Sequence, residues 1–258
     1  MKTSSLKFGM FALFIPILIL CAPSQDFVVL RQVTGPIETN CYLLYDVKSK
    51  EAALFDVGGP IDSLISVITE KQLKLKYIFA THCHMDHLEG VPLIREKYPD
   101  AQLCYNQKDY QDFLVCREWM MENWNPEVIQ EMKQDSATAK WFEYDMSIFG
   151  PPDICLKGNQ TYKLGKLKIK TILSPGHSIG SICYHVDNVL FSGDVLMYRT
   201  AGRTDLIHGS TEDLVTSVRN LYTLPDSTIV YAGHYQPTDI GSEKKENKKI
   251  TIDKVNMK

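Results

Sequence analysis

The residues best suited to chemistry lie in one short run, Thr81-His82-Cys83-His84-Met85-Asp86-His87, which places three imidazoles and a carboxylate within six positions. Neutral imidazole and carboxylate are good ligands for zinc and similar divalent ions. On extended backbone His82 and His84 point the same way and Cys83 the opposite way, so Cys83 is not expected to be a ligand. A following turn can bring Asp86 and His87 round to a second position. Three further candidates, His177, Asp194 and His234, each follow a glycine (Gly176, Gly193 and Gly233) at or just beyond the end of an expected strand. Glycine lets the backbone turn sharply and approach a site closely. Seven ligands divide naturally into two metal sites. A lone histidine is usually a hydrogen-bonded structural residue, and His185 and His208 are read that way.

Positioning these side chains requires strands that end together. Periodicity gives strands at Phe27–Val33, Cys41–Tyr45 and Ala52–Val57, a helix at Ile61–Gln72, and a buried strand at Tyr77–Ala80 that runs straight into the histidine cluster. A helix at Val91–Tyr98 and a strand at Gln102–Tyr105 complete the first half. Beyond a middle segment, strands at Leu167–Leu173, Ser181–Val186 and Val189–Ser192, a helix at Thr211–Leu221 and a strand at Thr228–Ala232 form the second. Two strand-rich halves with helices outside imply an α/β fold in which packed sheets lie between helical layers.

The chain has 258 residues, 44% of them hydrophobic, enough for one large domain. A formal charge of −3 gives no general attraction to nucleic acid or anionic membrane, which leaves a small molecule as the expected partner. The lysine-rich tail from Lys244 to Lys258 reads as a solvated end. At the N-terminus, two lysines precede an apolar run from Phe8 to Leu20 and a small-residue stretch, Cys21-Ala22-Pro23-Ser24. That pattern reads as a signal peptide over residues 1–24, followed by one domain over 25–258, exported and without a stable membrane span. Anchoring through this segment, or lipidation of Cys21, are the alternatives. The other six cysteines show no regular spacing, and Cys41 and Cys183 read as buried small hydrophobes.

The order HxHxDH, then His, Asp and His, over nearly the whole chain resembles the metallo-β-lactamase superfamily, and Leu54-Phe55-Asp56-Val57-Gly58-Gly59 resembles its Asp-Gly turn before the first helix. Within it, FSGDVLMYRTAGRTDLIHGS, YAGHYQPTDIGSE and the later Asn247 look most like the glyoxalase II (hydroxyacylglutathione hydrolase) branch. The resemblance implies a four-layered αβ/βα sandwich. It also implies that His82, His84 and His177 hold one metal, that Asp86, His87 and His234 hold the other, and that Asp194 bridges them. Zinc is the first expectation, with iron or manganese as alternatives. Asp86 and Asp194 would act catalytically with a metal-bound water, and Asp56 would orient the cluster loop. True β-lactamases of the fold carry a cysteine or serine at the bridging position, so Asp194 counts against lactam hydrolysis.

Two ions sharing a water lower its pKa from about 15.7 toward 7, which yields a hydroxide nucleophile. A thioester suits such a site, because its thiolate leaving group, with a pKa of about 8.5, needs little acid catalysis. Hydrolysis of thioesters or related esters is therefore the expected reaction. A persulfide dioxygenase-like oxidoreductase with one iron, a β-lactamase or lactonase, and a non-catalytic metal-binding module are the other readings.

Three features depart from the glyoxalase II pattern. Only 24 residues follow His234, where typical members carry a helical glutathione-binding domain. A middle segment near 107–159 reads as two or more helices and holds all three tryptophans, Trp119, Trp124 and Trp141. It reads equally as a lid binding an apolar or aromatic acyl group, with Trp119 and Trp124 in contact, or as a structural subdomain. Glu89 stands where the family often has glycine. Arg203 could grip a substrate carboxylate, but pairing with Asp205 is the reading preferred here.

Overall fold

The computed structural model describes Leu18–Ile19 and residues 26–250. The signal-peptide reading falls outside the described residues except at Leu18–Ile19 (β1), which pair antiparallel with Arg31 and Leu30. Among the described residues, no helix is long and apolar enough to cross a membrane.

One sheet contains β1, β2 (Phe27–Thr34), β3 (Thr39–Asp46), β4 (Glu51–Phe55), β5 (Lys74–Phe79), β6 (Gln102–Tyr105) and β7 (Ile154–Cys155), in that order. Pairing is antiparallel as far as β4 and parallel from β4 to β7. The second sheet contains β8 (Thr161–Leu164), β9 (Leu167–Leu173), β10 (Ile182–Val186), β11 (Val189–Gly193), β12 (Ile229–Ala232) and β13 (Thr238–Asp239). Only its β11–β12 pair is parallel.

Strand alternation shows why the sheets lie face to face. On β3, Tyr42 and Leu44 point between the sheets, whereas Cys41, Leu43 and Tyr45 point to the outer layer. The middle layer is aromatic: Phe55 stacks on Phe191 from the opposite sheet with ring centroids 3.8 Å apart, and Phe79 and Tyr184 close around them. Such pairs add about 0.5–1.5 kcal/mol each beyond burial.

Helices α1 (Asp62–Glu70), α2 (Met85–Leu88) and α3 (Val91–Lys97) cover the first sheet through Leu64, Ile68, Leu88 and Ile94. Helices α6 (Thr211–Leu221) and α7 (Ile240–Glu246) cover the second through Leu214, Val218 and Ile240. The result is the expected four-layered sandwich.

The expected helical insertion is present as α4 (Gln107–Asn123), α5 (Pro126–Gln134) and 3₁₀ turns at Ala139–Phe142 and Met146–Phe149. Its helical part stops there, and the remaining stretch toward 159 contributes β7 to the sheet edge beside β6. Two residues are too few to display a period. Cys41 and Cys183 are fully buried.

Candidate metal centre

The strand β5 ends at Phe79, a bend at Thr81–His82 follows, and His84, with extended backbone, leads into the single turn of α2, which holds Asp86 and His87. Cys83 faces the outer core layer, as its alternation predicts. His177, Asp194 and His234 follow β9, β11 and β12. The structure therefore brings all seven predicted side chains to one end of the sandwich.

They form two triads. The rings of His82, His84 and His177 stand edge to face, with centroids 4.5, 4.6 and 4.7 Å apart. In the other triad, Asp86 Oδ2 lies 3.1 Å from His87 Nε2 and 3.3 Å from His234 Nε2. Asp194 lies between them: its Oδ2 is 3.6 Å from His177 Nε2 and 3.5 Å from His234 Nε2, and its Oδ1 is 3.7 Å from His87 Nε2. The His82–His84–His177 and Asp86–His87–His234 groups each present ligand atoms close enough to hold one ion.

Outer hydrogen bonds decide which ring nitrogen faces inward. Asp56 Oδ2 accepts from His87 Nδ1 at 2.9 Å and from Thr81 Oγ1 at 2.9 Å. With its only proton committed to Asp56, Thr81 Oγ1 must accept from His82 Nδ1, 3.0 Å away. His177 Nδ1 donates to the Arg203 carbonyl at 2.8 Å. In its neutral form each of these rings thus turns an Nε2 lone pair toward the centre, and His82 Nε2 and His177 Nε2 face each other at 3.1 Å. A metal ion or a shared proton satisfies two facing lone pairs.

Further atoms fit the same requirement. His87 Nε2 and Asp194 Oδ1 are buried without a hydrogen-bond partner, which is costly unless something else satisfies them. Asp56, Asp86 and Asp194 are buried, and no lysine or arginine pairs with them among the described residues. Uncompensated buried carboxylates call for positive charge.

Burial, then the neighbouring histidines, push the His82 pKa well below its ordinary value, and burial does the same at His84. Both rings are accordingly neutral, as metal ligands must be. Burial also opposes charge on His87, but Asp86, Asp56 and Asp194 outweigh it and raise that pKa well above the ordinary value.

Several supporting residues carried no local signal in the sequence. Thr39 Oγ1 donates to Asp86 Oδ2 at 2.9 Å. Asp109, in the first turn of α4, accepts from Cys83 N at 2.7 Å and Gly180 N at 2.8 Å, tying the loop of His82 to the loop of His177. Asn106 caps α4 by accepting from Lys108 N. Arg203 makes the bidentate pair with Asp205, at 2.6 and 2.7 Å, and its guanidinium lies 5.1 Å from the Trp124 ring centre. Trp119, Trp124 and Trp141 line the same cavity as the triads. His208 pairs with Asp112 at 2.8 Å, and His185 lies in β10, away from both triads.

The glycines behave as their positions suggest. Gly176 adopts φ 137°, and a Cβ on Gly233 would collide with Asp194 Oδ1 and lie 2.7 Å from His87 Cε1. Gly233→Ala is therefore expected to cost about 1–3 kcal/mol of stability. A denaturant melt unchanged from the parent protein would contradict this close packing.

Two packed sheets with a His/Asp cluster at their strand ends define a metal-binding αβ/βα sandwich. The model of the metallo-beta-lactamase superfamily matches residues 34–234, and the chain belongs to that family. Among relatives, it is 32% identical over 220 residues to the probable metallo-hydrolase YqgX of Bacillus subtilis, covering 84% of this chain and 94% of that protein. It is 32% identical over 217 residues to the hydroxyacylglutathione hydrolase GloC of Haemophilus influenzae, covering 81% and 92%. Identity to the human mitochondrial persulfide dioxygenase ETHE1 is 27% over 236 residues, covering 87% and 77%. Among solved structures, the BLEG-1 B3 metallo-beta-lactamase superposes with a TM-score of 0.67 at 32% identity, covering 85% of this chain and 98% of that one.

Proposed function

We propose that this protein is a metal-dependent hydrolase of thioesters or related esters that works with two divalent ions, zinc first among them. The observation that carries this reading is the position of Asp194, within 3.7 Å of ring nitrogens from both triads. His82, His84 and His177 would hold one ion, Asp86, His87 and His234 the second, and Asp194 would reach both. When bound, the ions supply an activated water at neutral pH and a Lewis acid for the substrate carbonyl.

The chain's own residues prepare that chemistry. Asp56, Thr81 and the Arg203 carbonyl hold the ligand rings in one tautomer, so no reorientation is needed when substrate arrives. Thr39 fixes Asp86. Asp86 and Asp194 present carboxylate oxygens at the centre that would serve as proton acceptors. Cys116 lines the cavity, but burial pushes its thiol up to about 11, so it is protonated at neutral pH and poor as a nucleophile. A metal-activated water would serve as the nucleophile. A thiolate leaves readily without an acid, and the likeness to the hydroxyacylglutathione hydrolase supports a thioester.

The likeness to ETHE1 supports a second reading, a persulfide dioxygenase with one iron. Protein purified without added metal separates the two. The hydrolase reading expects about two ions per chain and turnover of thioesters or lactones in a panel that also contains β-lactams and phosphodiesters. One iron per chain, with oxygen consumption on glutathione persulfide, would replace it. Turnover confined to phosphodiesters or β-lactams would overturn the substrate class.

A further inference from the structure

The two triads open into a cavity of about 660 Å³, within the range of small-molecule sites. The wall opposite the metal ligands comes from the helical insertion: Trp119, Met120, Trp124, Met132, Trp141 and Phe142. These side chains are half-buried; Phe113 and Phe149 instead join the core layer over the first sheet, against which Trp141 also packs, and Ile129 is buried. Trp119 and Trp124 take no part in that core cluster, so their place on the cavity wall is not accounted for by core packing.

The cations around the cavity have their donors committed elsewhere. Arg203 pairs with Asp205; Arg117 donates to Glu118 and to the Phe142 and Tyr144 carbonyls. Lys249 Nζ donates to the Ala201 and Gly202 carbonyls at 3.0 and 2.6 Å. On the insertion side the cavity offers a ligand mainly aromatic face and thioether surface, which favours uncharged apolar groups.

The wall is also fixed in place. Glu89, immediately after α2, has its side chain 9% exposed; it accepts from Trp141 Nε1 at 3.1 Å and pairs with Lys140. The His208–Asp112 pair ties down α4. A wall already in place spares binding the entropy of ordering it.

We propose that this cavity is an acyl-binding site for bulky, uncharged apolar or aromatic groups, with Trp119 and Trp124 as its specificity residues and Glu89 as the positioning residue that holds the wall against the metal-bearing helix. It rests on the hydrolase reading above. The experiment uses thioesters of one small neutral thiol with acetyl, hexanoyl, decanoyl and phenylacetyl groups.

In the parent protein, kcat/KM is expected to rise about fourfold per added methylene until the cavity is filled. In Trp119→Ala/Trp124→Ala, the decanoyl-to-acetyl ratio should fall at least tenfold. In Glu89→Ala the ratio should fall through KM, and Glu89→Gln, whose carbonyl still accepts from Trp141, should restore most of it. Efficiency that is flat or falls with acyl size would overturn the acyl site while leaving the hydrolase reading intact. If no thioester turns over, the hydrolase reading fails instead, and decanamide titrated against tryptophan fluorescence decides the cavity. Saturable quenching that weakens in Trp119→Ala supports it, and the absence of quenching overturns it.

Discussion

Replacing Asp194 with alanine is expected to reduce hydrolysis by roughly 10³-fold or more, because Lewis-acid catalysis contributes several kcal/mol and each 1.36 kcal/mol is a factor of ten. Among the described residues, no other carboxylate lies within 3.7 Å of ring nitrogens from both triads. Its loss should therefore lower metal content as well as rate, to one ion per chain or fewer by elemental analysis. Asp194→Asn preserves the shape and separates a ligand effect from a packing effect. A variant that keeps two ions and stays within tenfold of the parent rate would show that Asp194 is not shared between them.

The second large effect is expected at Asp56, which touches no proposed ion. Its carboxylate accepts from Thr81 N at 2.7 Å, Thr81 Oγ1 at 2.9 Å and His87 Nδ1 at 2.9 Å. In Asp56→Asn one acceptor becomes a donor. With Oδ1 kept on Thr81 N, the new amide nitrogen faces both Thr81 Oγ1 and His87 Nδ1. The His87 proton then moves to Nε2, where the lone pair is needed, and Thr81 can turn its own proton onto His82. Metal affinity should fall 10- to 100-fold. Asp56 has φ 56°, a conformation that asparagine tolerates well, so the fold should persist. Chelator competition reads the affinity, and activity should return with excess metal. An unchanged affinity would show that the tautomer is set elsewhere.

Both predictions follow from the difference between what was legible in the sequence and what was not. Four ligands fall within six residues, and His177, Asp194 and His234 each follow a glycine near a strand end, so one-dimensional spacing sufficed to collect them. The strands that carry them were legible too, because β9 alternates over seven residues and β5, β11 and β12 contain short apolar runs. The single turn of α2, two-residue β7 and four-residue β8 are too short to display a period, and α7 follows its strand without a break. Partners defined by long loops were invisible for another reason. Asp109 reaches Gly180 across 71 positions and Thr39 reaches Asp86 across 47, and no local pattern encodes such a contact. Arg203 was legible only by half: its side chain pairs with Asp205 as expected, but its carbonyl orients His177, and a backbone atom leaves no signature in residue type.

The insertion leaves the first sheet at Tyr105 and rejoins it at Ile154, on strands that are hydrogen-bonded neighbours with Tyr105 opposite Cys155. The ligand cluster, in contrast, is collected from loops fed by β5, β9, β11 and β12, in both sheets. Reaction machinery is thus distributed across the scaffold, while the facing cavity wall comes from one uninterrupted stretch of chain. Such a stretch can be lengthened, shortened or exchanged as a cassette, so that on the hydrolase reading proposed above inheritance could revise what is accepted without revising how it reacts.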